Sequence, residues 1–91
     1  MPKKKKLMWT GLALNDRNEL FYSHADRDEA IFTDEAIDEA AEKLIARAEA
    51  GFPGRVEGTM EAGISDQFVL VYDLTDSQIR ILRILSAALP L

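Results

Sequence analysis

Cysteine is absent from these 91 residues, and histidine and tryptophan occur once each. Without thiols there is no disulfide frame, no thiolate nucleophile and no cysteine-based zinc site. A serine nucleophile would need an oriented base, and His24 is the one histidine; Ser23, Ser65, Ser77 and Ser86 lie in no elbow or triad pattern. The glycines at 11, 51, 54, 58 and 63 follow none of the spacings that cradle a phosphate. Long apolar runs are also missing. Ile79 to Leu91 is interrupted by Arg80, Arg83 and Ser86 and is too short to span a bilayer. Lys3 to Lys6 lead into alternating sequence instead of the apolar centre of a signal peptide. These absences predict a cytoplasmic chain with no membrane anchor, no cofactor and no enzymatic activity.

What is present is ordinary globular composition, with 47% hydrophobic and 30% charged residues. Ninety-one residues make one domain, which we divide into a basic flexible tail, 1–6, and a folded body, 7–91. The formal charge of −5 understates the acidity of that body. Without the four tail lysines, 7 basic side chains face 16 acidic ones. Such a body repels a duplex, so direct binding to double-stranded nucleic acid is not expected. The tail, Pro2-Lys3-Lys4-Lys5-Lys6, reads as a solubilising or phosphate-touching arm.

Leu7 to Leu14 alternates like a strand, Asn15-Asp16-Arg17-Asn18 is turn chemistry, and Glu19 to Ser23 reads as the returning strand. A first helix is predicted from Asp34 to Ala50, with Thr33 as its cap and Gly51 and Pro53 as its stop. A third strand, Arg55 to Ala62, would turn Val56, Gly58, Met60 and Ala62 inward and Arg55, Glu57, Thr59 and Glu61 outward. The uninterrupted apolar run after Gln67, ending at Leu74, reads as a central strand. Thr75 and Gln78 then form a capping box for a second helix, Asp76 to Leu89. The expected fold is α+β: a four-stranded, mainly antiparallel sheet in the order ββαββα with both helices on one face. Trp9, Phe21, Tyr22, Phe68 and Tyr72 would lie on strands and pack within the sheet.

Two features invite a functional reading. On the first helix, Glu35, Asp38, Glu39, Glu42 and Glu49 fall opposite the apolar face. From Asp26 to Glu49 nine acidic residues meet three basic ones, and Glu35–Glu39 and Asp38–Glu42 repel at one-turn spacing. Asp38, Glu39, Glu42 and Glu49, with Asp26, Asp28 and Glu29 at the rim, are the candidate partner-binding residues. The predicted second helix is apolar around more than half its circumference, so Ile81, Ile84 and Ala88 could form a homodimer contact. His24, Asp26 and Asp28 alternate as a weak metal site would require, with Glu29 as the obvious fourth group, but a solvated loop accounts for them better, and no metal is expected.

In size, acidity and lack of catalytic motifs the chain resembles the inhibitors that phages and mobile elements direct at nucleic-acid-handling machinery, anti-CRISPR proteins among them. That resemblance implies a non-enzymatic nucleic-acid mimic that occludes the basic surface of a partner protein. The alternative is a structural or regulatory homodimer joined through the last helix.

Overall fold

A computed structural model describes residues 5–88. The elements are β1 (Lys6–Trp9), α1 (Gly11–Ser23), α2 (Arg27–Ala46), β2 (Phe52–Pro53), β3 (Met60–Gly63), β4 (Phe68–Leu74) and β5 (Gln78–Ser86). The strands form one sheet in the order β1-β5-β4-β3-β2. β1 runs parallel to β5 and every other pairing is antiparallel. The fold is therefore α+β with two helices, as expected, but the sheet is mixed and has five strands. Among the described residues no helix is long and apolar enough to cross a membrane.

Both helices pack on one face of the sheet. Ala13 of α1 and Ile37, Ala40, Ala41 and Leu44 of α2 meet Leu70 and Tyr72 of β4 and Ile79, Ile81 and Ile84 of β5. Each aliphatic side chain fully buried here contributes about 1.5–3 kcal/mol. Leu7 and Trp9 of β1 and Met60 and Ala62 of β3 complete the margins.

Several expectations need correction. The predicted hairpin of Leu7–Leu14 and Glu19–Ser23 is instead β1 followed by α1. Alternation ends at Thr10, whose hydroxyl accepts the Ala13 N–H at 3.1 Å and caps the helix. Leu12 and Leu14, which alternation would bury, are exposed. The first predicted helix exists, but it starts one capping signal earlier. Asp26 accepts the Asp28 N–H at 2.8 Å, so α2 begins at Arg27 and Thr33 lies inside it; its last helical residue is Ala46, not Ala50.

The second predicted helix is a strand. Thr75 accepts the Gln78 N–H on its hydroxyl at 2.9 Å, and its own N–H donates to the Gln78 carbonyl at 2.9 Å. A spacing of three residues serves a capping box and the two ends of a tight hairpin equally well. Here it closes the β4–β5 turn. The apolar surface that looked excessive for a helix belongs to a strand whose Ile79, Ile81 and Ile84 are buried under the helices while Arg80 and Arg83 turn to the other face. Ile81 and Ile84 consequently lie in the core and form no dimer interface; Ala88, beyond β5, is exposed.

The third predicted strand is shorter than expected. Arg55 to Thr59 form a loop in which Gly58 has φ of +84° and Val56 is exposed, leaving Met60–Gly63 as β3. Of the aromatics placed on strands, Trp9, Phe68 and Tyr72 are there, while Phe21 and Tyr22 belong to α1.

Candidate functional site

The helices leave the opposite face of the sheet without a helical cover. Strand alternation and register place Met8 beside Arg80, Arg80 beside Asp73, and Val71 between Glu61 and Arg83 on that face, with Lys6 at its end. Arg55 reaches in from the loop after β2. Its backbone N–H donates to Glu61 Oε2 at 2.9 Å, its Nε to the same oxygen at 3.0 Å, and its Nη2 to Oε1 at 3.2 Å. Arg80 Nε donates to Asp73 Oδ1 at 2.7 Å. Arg83 forks onto Asp16 of α1, Nε to Oδ2 at 2.7 Å and Nη2 to Oδ1 at 3.0 Å.

Four cations, Lys6, Arg55, Arg80 and Arg83, thus share this side with the two carboxylates of Glu61 and Asp73 and with Asp16 at the edge. The Arg80 and Arg83 side chains remain 40% and 44% exposed despite their partners. A guanidinium has five N–H donors in a rigid fork, so a carboxylate on one side leaves donors for a phosphate on the other.

Hydrogen bonding to Arg55, through side chain and backbone, holds the Glu61 carboxyl below the usual range against the opposing effect of burial. For Asp16, burial pushes upward, but the bonds from Arg83 and the Ile84 N–H outweigh it and the carboxyl is lowered. A lowered carboxylate stabilises the fold fully above its unfolded pKa, and the gain disappears as pH falls through the folded value. Replacing Glu61 with glutamine should therefore flatten the loss of stability below about pH 4.5, the ordinary glutamate value. Urea midpoints between pH 6 and pH 2 check this; parallel curves for both proteins would contradict it.

The helix layer carries the opposite charge. Glu39 and Glu42 are exposed along α2, as expected. Asp38 is not free: Arg17 of α1 donates from Nη2 to Asp38 Oδ1 at 2.8 Å and from Nε to Asp34 Oδ1 at 2.7 Å, while its guanidinium sits 5.1 Å from the Trp9 ring centre. Asp26 serves as the cap of α2, Asp28 and Glu29 occupy its first turn, and Glu49 lies beyond its end. These candidates therefore do not form one continuous row.

Sequence reading missed the exposed aromatics of this layer, Tyr22 and Phe32, which are 81% and 74% exposed. Tyr22 was hidden by its assignment to a strand. His24 is occupied structurally, its Nδ1 2.8 Å from the Leu20 carbonyl and its Nε2 3.3 Å from the Thr33 hydroxyl. It lines a shallow cleft of about 560 Å³ with Asp28, Glu29, Phe32 and Phe68. Among the described residues no three His, Cys, Asp or Glu side chains are grouped to hold a metal.

No family model and no curated protein matches the chain. Solved structures do. A chain from the chromosomal ParDE toxin–antitoxin system of P. aeruginosa is similar, with a TM-score of 0.79 and 24% identity over 91% of this chain and 96% of that one. One from the E. coli DinJ-YafQ toxin–antitoxin complex gives 0.66 and 18% over 94% and 96%. The YoeB/ParE toxin of Agrobacterium tumefaciens gives 0.65 and 18% over 89% and 96%.

These likenesses fix the fold and overturn the functional expectation. The backbone is one found in toxin–antitoxin systems, and the acidic, anti-CRISPR-like mimic that occludes a basic surface is withdrawn. The exclusion of enzymatic activity falls with it, because YafQ and YoeB share the backbone. That exclusion rested on the lack of a thiol, a serine–histidine pattern and a phosphate-cradling glycine loop, whereas charge developing on a phosphate is also stabilised by guanidinium groups, which need none of these.

Proposed function

We propose that this chain is the toxin of a toxin–antitoxin pair, acting in the cytoplasm from the open face of its sheet on a phosphate-bearing target, and held in check by a protein antitoxin. The observation that carries this reading is the backbone agreement with the ParDE chain over nearly the whole length of both. The distribution of charge supports it. Lys6, Arg55, Arg80 and Arg83 gather on the sheet side, whereas the residues of α1 and α2 comprise nine acidic and three basic side chains. A molecule polarised in this way presents its cations to a polyanion with the repelling carboxylates turned away.

The antitoxin is assigned to the helix layer, where the exposed Tyr22 and Phe32 offer anchors and Glu39 and Glu42 border them. Aromatic side chains of this kind carry much of the binding energy at protein interfaces. Of the four lysines at the start of the chain, Lys3 and Lys4 lie outside the described residues; Lys6 opens β1 beside β5, and the Lys5 ammonium donates to the Asp76 carbonyl at 3.1 Å.

Inducible expression in a bacterial host tests the proposal. The native chain should arrest growth, a co-expressed antitoxin should restore it, and the double substitution Arg80→Glu and Arg83→Glu should relieve the arrest at equal protein level. Undiminished growth with the native chain accumulated in folded form would refute the toxin reading. Arrest that survives both charge reversals would refute the sheet face as its source.

A further inference from the structure

We propose that the Asp16 carboxylate is a lock on the edge of the sheet, holding α1 over the outer half of β5 and preventing that strand from pairing with a second copy of the chain. β1 accompanies β5 only from Gln78 to Ile81. Beyond that point the strand would present bare backbone, and α1 supplies the missing partners. The Thr10 N–H donates to the Ile81 carbonyl at 3.1 Å, and the Thr10 hydroxyl donates to the Leu82 carbonyl at 3.0 Å. The Ile84 N–H donates to Asp16 Oδ2 at 3.0 Å, and the same carboxylate grips Arg83 through both its oxygens.

Side chains of a helix thus do the work of a sixth strand across Leu82 to Ile84. Further along, the cover thins to a cleft of about 250 Å³ between Asp16 and Leu20 on one side and Ile84 and Ser86 on the other. Alternation points the Ser86 N–H to the same edge as the Ile84 N–H. The need for a lock lies in the sequence of β5, Gln78-Ile79-Arg80-Ile81-Leu82-Arg83-Ile84-Leu85-Ser86, which is rich in β-branched and apolar residues and free of proline. An uncovered edge of this composition recruits other strands. Arg83 therefore has two tasks: its charge interrupts the apolar run, and its fork fixes the carboxylate that occupies the Ile84 N–H.

Size-exclusion chromatography with light scattering tests this on the full chain. Asp16→Ala should move from the elution of the native chain to that of a dimer or larger species with its circular dichroism retained. Adding Ser86→Pro, which removes an edge-facing donor without touching the core, should reverse that shift. A variant Asp16→Ala that elutes as the native chain does, or one whose association ignores Ser86→Pro, would overturn the lock. Should Asp16→Ala not fold, Asp16→Asn decides. It keeps an oxygen for the Ile84 N–H but loses the charge, so hydrogen exchange at Ile84 should rise roughly 5- to 10-fold while Leu70 is unchanged. Equal exchange at Ile84 in both proteins would also overturn it.

Discussion

Replacing Ile81 with glutamate should leave no cooperatively folded protein. Ile81 is fully buried, pairs across the sheet with Trp9 on one side and Tyr72 on the other, and belongs to the cluster that holds Ile37 and Leu44 against the strands. Removing the aliphatic side chain alone costs about 2–5 kcal/mol. The carboxylate adds several more, whether it stays ionised without a partner or takes up a proton to avoid doing so. Against a total stability of roughly 5–15 kcal/mol for a small domain, that sum removes the folded state. Ile81→Val, which shortens the side chain by one methyl group, should cost only about 0.5–1.5 kcal/mol and serves as the control. Amide dispersion by NMR and urea unfolding check both. A folded Ile81→Glu protein with a native midpoint would mean that this side chain faces outward, as it would on an amphipathic helix at a dimer contact.

Gly51→Ala is the second large effect, and it originates in a close approach between backbone and a buried phenol. The Gly51 N–H donates to Tyr72 Oη at 3.1 Å, and the Tyr72 hydroxyl donates to the Ala48 carbonyl at 3.0 Å, tying the segment after α2 to β4. A Cβ at position 51 would stand 2.5 Å from Tyr72 Oη and 2.6 Å from the Glu61 carbonyl oxygen. Tyr72 is fully buried and Glu61 O belongs to β3, so neither yields without moving the sheet. Overpacking of this kind costs about 1–3 kcal/mol. The displaced phenol also loses its bonds, leaving a buried hydroxyl unpaired at a further ~1–3 kcal/mol. Tyr72→Phe should cost only the lost hydrogen bonds, about 1–3 kcal/mol, because the Gly51 N–H and the Ala48 carbonyl lose their partner. The double variant Gly51→Ala with Tyr72→Phe should then be less destabilised than the two singles predict together, because the phenylalanine removes the nearer obstacle while Glu61 O remains. Strict additivity in chemical denaturation would show that the clash is with the β3 backbone alone.

These two sites mark the limits of legibility in different ways. That Gly51 would not continue a helix was readable, since a glycine two residues before a proline is a common stop, but α2 itself ends earlier, at Ala46. The contact of Gly51 with Tyr72 was not readable, because the two residues are far apart in sequence and meet only when β4 takes its place in the sheet. Ile81 was misread for a subtler reason. An apolar segment with arginines at positions 80 and 83 has the one-turn spacing of a helix, and it also suits a strand with its faces covered unequally. Length and propensity do not separate the two in nine residues. The neighbours decide: β1 and β4 offer backbone partners on either side of β5, and isoleucine at 79, 81 and 84 suits a pleated surface.

The candidate site shows the same division. That the chain is acidic, and that its carboxylates crowd between Asp26 and Glu49, was evident from the residues. That Arg17 reaches back from α1 to take Asp34 and Asp38 was not, because α1 itself was taken for a hairpin. The cationic side escaped notice altogether. Lys6, Arg55, Arg80 and Arg83 are scattered through the chain, and only the pairing of β1 with β5 and of β4 with β5, together with the bonds of Arg55 to Glu61 on β3, bring them to one face.

By itself the sequence determined the α+β class, the lack of any thiol chemistry, the acidic amphipathic helix of α2 and the apolar strand β4, since each rests on periodicity or composition within one stretch of chain. The tertiary structure alone decided that α1 is a helix, that β5 is a strand between β1 and β4, and which carboxylates are neutralised. Those outcomes depend on hydrogen bonds and ion pairs between residues distant in sequence. Local preferences there are nearly balanced, and a few kcal/mol from partners across the sheet chooses between them.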